Sequence, residues 1–267
     1  LQWNAQVSAD ENFRRPFVDR YDKFYLTFQH GYVGGGSYVF NCTKVDKSTG
    51  VIDWVGYYNI TPVGSPSGTS GNGQSALHLD LDCNGDVYMT GYYGDANYGP
   101  EQWGTMKASG ETGEKLYDFT TAIDLENYSN LSEGNIMFVK QNQPMMLGQL
   151  QDVTDEVNIT YVKFDATDGS VLDQHYLNDS APLTSSAVEI LGDSDASFVL
   201  KQVGKMMRVE RYDDDANLIW SQAILSEQYL IAGGMTLDEN YLYVVASDYS
   251  EVLTPPYYNP NAESMIF

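Results

Sequence analysis

The stretch ALHLDLDCNGDVYMTGYY, residues Ala76 to Tyr93, decides the fold. ALHLDLD alternates apolar and polar residues, the period of a half-buried strand. Asn84-Gly85 follows, a pair that tolerates positive φ and predicts a two-residue hairpin turn. DVYMTGYY (Asp86 to Tyr93) is then the returning strand. Beyond it a loop rich in Gly, Tyr and Pro leads to a third strand around Trp103 to Lys107, the turn ASGETG, and a fourth strand, EKLYDFTTAI (Glu114 to Ile123).

Four antiparallel strands in about 48 residues is the size of one β-propeller blade. The rest of the chain repeats this unit. A third strand and its turn recur as TKVDKSTGVIDW (Thr43 to Trp54), MKASGETGEKLY (Met106 to Tyr117), VKFDATDGSVLD (Val162 to Asp173) and ERYDDDANLIWS (Glu210 to Ser221). In each, a cation (Lys44, Lys107, Lys163, Arg211) precedes by six positions a residue suited to positive φ: Gly50, Gly113, Gly169, Asn217. Second strands recur as KFYLTFQHG (from Lys23), DVYMTGYYG (from Asp86), QPMMLGQLQ (from Gln143), ASFVLKQVG (from Ala196) and NYLYVVASD (from Asn240). Such regular spacing indicates radial repetition, since a sandwich would show less uniform units.

The predicted fold is therefore all-β: a propeller of four-stranded antiparallel blades, five in number, forming one domain over residues 1–267. LQWNAQV at the N-terminus matches LIWSQAI (Leu218 to Ile224), a fourth strand, and the chain stops at ESMIF where a third strand is expected. The N-terminal strand is thus expected to complete the last blade and close the ring, which pairs both edges. The start at Leu1, without an initiator Met, fits a processed chain or an excerpt from a longer array.

The unit resembles the bacterial-type β-propeller repeat family, whose pattern D-x-x-G-N-x-Y-x-x-G followed by K-x-D-x-x-G and an outer-strand Trp is matched by Asp82 to Gly91 and Lys44 to Trp54. The turn order here is Asn84-Gly85, the reverse of that pattern. Asp46 to Trp54 is also similar to quinoprotein-like propeller repeats. The resemblance implies a scaffold and no particular activity.

Composition bounds the function. With 37 acidic and 14 basic residues the formal net charge is −23, a surface that repels phosphate backbones and excludes nucleic acid as a partner. No run reaches the 18 or so apolar residues of a membrane span. Six Asn-x-Ser/Thr sequons, at Asn41, Asn59, Asn127, Asn130, Asn158 and Asn178, point to an N-glycosylated chain outside the cell or at its surface. Asn127 and Asn130, in a polar loop, are the best acceptors and Asn41, inside a strand, the worst. Outside the cell Cys42 and Cys83 are expected to pair, closing a loop of about 40 residues.

Catalytic motifs are sparse. Three histidines, His30, His78 and His175, have no metal-binding spacing, and there is no G-x-S-x-G elbow, phosphate loop or dinucleotide fingerprint. Asp80, Asp82 and Asn84 resemble the start of a calcium loop, D-x-D-x-N-G, and calcium is the one candidate cofactor; the alternative is a hairpin whose acids cap the turn. The recurrent cations are expected to be structural, pairing between blades with acids such as Asp80 or Asp82. Tyr32, Tyr92, Tyr93, Tyr98, Trp103, Tyr257 and Tyr258 fall in long loops expected on one face of the ring, where aromatic rings give contact area at low entropic cost. The main functional expectation is therefore a non-catalytic recognition or assembly module, with surface proteins, further copies of the chain or glycans as partners. The alternative is a secreted carbohydrate-active or quinoprotein-like enzyme with an axial active site.

Overall fold

The computed structural model describes residues 11–18, 23–30, 40–58, 73–95, 99–121, 128–140, 142–152, 157–177, 185–192, 196–203, 206–213, 215, 217–225, 229–237, 241–249 and 263–266. Among them every regular element is a strand, and every pairing is antiparallel between neighbours in the chain. The first sheet holds β1 (Glu11–Val18), β2 (Lys23–His30), β3 (Phe40–Asp46) and β4 (Ile52–Tyr58). The second holds β5 (Gly73–Leu81), β6 (Val87–Asp95), β7 (Gly99–Ala108) and β8 (Lys115–Thr121). β9 (Tyr128–Lys140), β10 (Gln143–Asp152), β11 (Val157–Phe164) and β12 (Val171–Leu177) form the third. The fourth has β13 (Ser185–Gly192), β14 (Ser197–Val203), β15 (Met206–Tyr212) and β16 (Leu218–Ile224). A fifth has three strands among the described residues, β17 (Tyr229–Leu237), β18 (Leu242–Tyr249) and β19 (Glu263–Ile266). Leu1 to Val7, expected to supply its fourth strand, lies outside the described residues.

The first strands lie side by side in succession: β1 by β5, β5 by β9, β9 by β13, β13 by β17. They are therefore the inner strands, and β4, β8, β12 and β16 the outer ones, which agrees with the exposure of Ile52, Leu116, Leu172 and Leu218. Strand alternation sends one set of side chains to each neighbouring sheet. Tyr25, Phe40, Cys42 and Tyr58 of the first sheet meet Leu79, Leu81, Val87, Met89, Met106 and Ala108 of the second, all buried. Tyr88 of the second packs with Met146, Val162 and Phe164 of the third. Phe198, Leu200, Met207 and Val209 of the fourth pack with Leu230, Met235, Val244 and Ala246 of the fifth. Each large side chain so buried is worth about 1.5–3 kcal/mol, so the stabilising contacts run from sheet to sheet.

The turns between third and fourth strands are built as the repeat implies. Gly50, Gly113 and Gly169 have φ of 73°, 72° and 76°, and each N–H bonds back to Asp46, Ser109 or Asp165. The fourth sheet differs. Asp213 N–H bonds to Asn217 O, where Asp46 N–H reaches one residue further, to Val51 O. This turn is a residue shorter, and Asn217 is not the left-handed residue; among described non-glycine residues only Asn142 is, at φ 65°. The β5–β6 connection also departs from expectation. Asp82 N–H bonds to Asp86 O, enclosing three residues, and Gly85 alone takes the positive φ, 81°.

Candidate functional site

One backbone feature recurs on every inner strand among the described residues. Each pairs with its second strand through a β-bulge: Arg14-Arg15 in β1, Leu77 in β5, Glu133-Gly134-Asn135 in β9, Val188 in β13 and Gly233 in β17. The bulges fall at one level, two to four residues past the equivalent positions Tyr25, Tyr88, Met145, Phe198 and Leu242. Bulges kink the strand and re-aim side chains, and they gather next to active sites. The residues at or beside this level are chemically varied: Arg14 and Arg15, His78, Glu133, Glu189 and the exposed Gly233. Glu133 and Glu189 stand on β9 and β13, inner strands that touch. Neither acid carried a sequence signal, because in so acidic a chain only the bulge register separates them from the others.

A second feature sits opposite the bulge of β13. Val188 is the extra residue between the pairs Ala187–Lys201 and Glu189–Leu200. Lys201 is 1% exposed, and its Nζ lies 2.5 Å from Glu210 Oε2, itself buried. The Tyr212 hydroxyl donates to the same carboxylate and accepts from Lys201 Nζ at 3.3 Å, while Arg208 Nη1 stands 3.7 Å from Glu210 Oε1. Since Leu200 and Val209 face the fifth sheet, alternation turns Lys201, Glu210 and Tyr212 toward the third, whose buried Phe138, Met145 and Tyr161 lie on the side away from the second. The second and third sheets have Gly91 and Gly148 where the fourth has Lys201. A lysine inside SFVLKQV was the available signal, and it was passed over.

Three of the four repeated cations form rungs with aromatic neighbours, whereas Lys163 lies between Met145 and Asp173. Lys44 lies between Tyr25 and Trp54, Lys107 between Tyr88 and Tyr117, and Arg211 between Phe198 and Trp220. Their charges sit 5.5, 4.8 and 5.6 Å from the Tyr25, Tyr88 and Phe198 rings, within cation–π range. Lys107 pairs with Asp82 at 3.2 Å and Asp86 at 3.0 Å, inside its own sheet rather than across a seam. Burial alone would lower its pKa, but bonds to Tyr88 and Asp86, with Asp82 beside them, more than offset this and raise it. Lys44 does cross the seam, to a carbonyl: its Nζ donates to Gly110 O at 2.6 Å.

Several expected sites change meaning. Asp80 and Asp82 do not converge as a calcium loop. Asp82 Oδ1 accepts the Asn84 and Asp86 amides at 2.9 Å, whereas Asp80 Oδ2 takes the Val139 amide of the third sheet at 2.6 Å; Asn84 is exposed. No group of three or more His, Cys, Asp or Glu among the described residues is placed to hold a metal ion. Cys42 and Cys83 are not joined in a disulfide, which corrects the expected pairing: Cys42 is buried in the first seam, where burial raises its thiol pKa, and Cys83 is exposed on the β5–β6 turn. Asn41 is fully buried in β3, which leaves no room for a glycan. Asn130 lies in β9 and Asn158 in β11; Asn59, Asn127 and Asn178 are outside the described residues. Tyr92, Tyr93 and Trp103 belong to strands, because β6 and β7 extend the hairpin to the pair Asp95–Gly99 with Tyr92 opposite Trp103. They stand on the strand segments just beyond the bulge level. Tyr32, Tyr98, Tyr257 and Tyr258 lie outside the described residues. No helix among those residues is long and apolar enough to cross a membrane.

No protein-family model matches the chain, and no curated protein matches it. Solved structures do. They include the α-L-arabinofuranosidase Arb93A from Fusarium graminearum (TM-score 0.55, 10% identity, 91% of this chain and 76% of that one) and the GH43 β-1,3-galactosidase BT0265 (0.54, 10%, 92% and 55%). The GH43_1 enzyme from Xanthomonas citri complexed with xylotriose is similar as well (0.51, 10%, 91% and 83%). The chain spans only 38% of an acylaminoacyl peptidase that it matches at a TM-score of 0.50, and 57% of an exo-β-1,3-galactanase from Phanerochaete chrysosporium at the same score. At these identities the likeness establishes the fold: an all-β chain of antiparallel sheets like those of propeller-type proteins. The structures named are enzymes, so the main functional expectation of a non-catalytic recognition module finds no support in the fold and is set aside.

Proposed function

We propose that the chain is a carbohydrate-active enzyme, a glycoside hydrolase working at the bulged level of the inner strands. The observation that carries this is the placement of Glu133 and Glu189 at bulges on the touching strands β9 and β13. Glycosidic cleavage needs two carboxyl groups, one to protonate the leaving oxygen and one to act as base or nucleophile. Bulges on neighbouring strands supply a pair at one level. Arg14, Arg15 and His78 on β1 and β5 add donors for sugar hydroxyls, and Tyr92, Tyr93 and Trp103, just beyond that level, add rings on which a pyranose can stack.

The sheets close into a five-bladed ring through the N-terminal strand that the sequence predicts, in which Trp3 aligns with Trp220 of LIWSQAI. Trp3→Ala then lowers the melting temperature by several degrees, and an unchanged melt excludes that closure. The chain acts outside the cell, in keeping with its charge and its sequons.

Incubation of the protein with arabino-, xylo- and β-1,3-galacto-oligosaccharides tests the reading. Release of reducing sugar from at least one of them is the expected result. No release from any, by protein whose near-ultraviolet spectrum shows native packing, rejects it.

A further inference from the structure

We infer that the buried cluster Lys201–Glu210–Tyr212 is a positioning device for the inner-strand site, holding the bulge at Val188 and thereby fixing the backbone that carries Glu189. The inference rests on the proposed role of Glu189.

Three observations lead to it. First, the cluster is expensive where it stands. A buried ion pair is often no more stabilising than apolar residues of the same volume, and the equivalent cross-seam positions of the second and third sheets are apolar: Met106 and Ala108, and Val162 and Phe164, against Glu210 and Tyr212 here. Stability alone does not account for it. Second, its bonds converge on one carboxylate. Lys201 and Tyr212 both reach Glu210 Oε2, and Arg208 approaches Oε1, so Glu210 is held from both oxygens and β14 is fixed against β15. Third, β14 is the strand that measures the bulge. Lys201 pairs with Ala187 and Leu200 with Glu189, so the backbone that carries Lys201 spans the step in which β13 gains Val188. Locking the long Lys201 side chain locks that backbone, and Glu189 is the next residue after the bulge.

The same level in the second and third sheets shows the contrast. There the second strand has Gly91 or Gly148; Leu77 is followed by His78, and the three-residue bulge of β9 carries its acid, Glu133, within it and is followed by Ile136. The charged cluster lies under the one bulge followed at once by an acid.

The test is the paired replacement Lys201→Met with Glu210→Met, which removes both charges and keeps the volume. Amide hydrogen exchange and steady-state kinetics are read on the same protein. The expected result is a melting temperature close to that of the parent, exchange at residues 187–189 accelerated at least tenfold with the β5–β6 pairing unchanged, kcat lowered at least tenfold at constant KM, and an altered acid limb of the pH–rate profile. Unchanged exchange at 187–189 overturns the inference whatever the activity. Accelerated exchange with kcat and pH profile unchanged also overturns it, since the bulge would then be held without consequence for Glu189. If the parent hydrolyses no glycan, the reading of Glu189 as catalytic fails, and the positioning role for that acid fails with it; the exchange data then show only whether the cluster holds the bulge.

Discussion

The seam between the first and second sheets and the seam between the third and fourth are built on the same repeat with opposite chemistry. At the first, outer-strand groups dock on the turn of the next sheet: Trp54 Nε1 donates to Gly110 O at 3.2 Å and the Tyr58 hydroxyl to Gly113 O at 2.8 Å, over an apolar bed of Leu79, Met89 and Met106. The docked turn is tightly packed on both sides: a Cβ on Gly110 would lie 1.7 Å from Gly85 O in the β5–β6 turn of the same sheet, and one on Gly113 2.8 Å from the Trp54 ring across the seam. At the other seam the fourth sheet contributes a salt-bridged lysine and a tyrosine hydroxyl. Shared turns fix how sheets stack, whereas unshared residues decide what lies between them.

The largest difference is expected from breaking one charge of the polar seam. Lys201→Met alone leaves the buried Glu210 with the Tyr212 hydroxyl and, as cation, only the more distant Arg208, and should cost about 3–5 kcal/mol, read as a shift in urea midpoint; adding Glu210→Met should recover most of it. A loss below about 1 kcal/mol for the single variant would mean that water already reaches the pair. Next comes Gly110→Ala in the docked turn, where Gly110 lies against the β5–β6 turn of its own sheet. The added methyl meets backbone and cannot be relieved by a rotamer change, so about 3 kcal/mol of destabilisation is expected, and a neutral melt would show that the two turns are not in contact. Trp54→Phe is milder, since it keeps the ring and deletes the bond to Gly110 O. A loss of about 1 kcal/mol is expected, and no loss would assign the docking to packing alone.

The smallest effect belongs to the exposed end of the first seam. The bond from Lys23, then those from Ser48 and Thr49, hold Asp46 below the usual carboxylate range. A carboxylate lowered on folding stabilises the fold fully above its unfolded pKa, about 3.9, and that contribution disappears as pH falls through the folded value. Asp46→Asn should therefore melt slightly below the parent at pH 7, with the gap narrowing as the pH falls below about 3.9. A difference that persists in acid would point to packing instead.

How much of this the sequence disclosed follows from what repeats. The five hairpins, the rung cations and the left-handed Gly50, Gly113 and Gly169 were legible because each is stated several times, and three copies outweigh local ambiguity. The turn at Asn217 was misread because a deletion of one residue preserves composition while moving the backbone. The disulfide failed for a different reason: spacing cannot report that Cys42 faces the neighbouring sheet while Cys83 rides a turn. The aromatics at Tyr92 and Trp103 were assigned to a loop because Gly and Pro between them read as breakers, although the hairpin pairs across them to Asp95 and Gly99. The bulge level was not legible at all, since a bulge is a relation between two strands and adds one residue without a signature of its own.

The inner-strand site is the central claim, and Glu133→Gln and Glu189→Gln test it most directly on whichever oligosaccharide the parent cleaves. Both variants should melt as the parent does, bind the oligosaccharide with similar affinity, and lose about 10²–10⁴-fold in kcat, with the product's anomeric configuration in the parent showing whether the acid that is not the proton donor acts as nucleophile (retention) or base (inversion). Full activity in either variant would contradict the account and move the chemistry away from the bulges of β9 and β13.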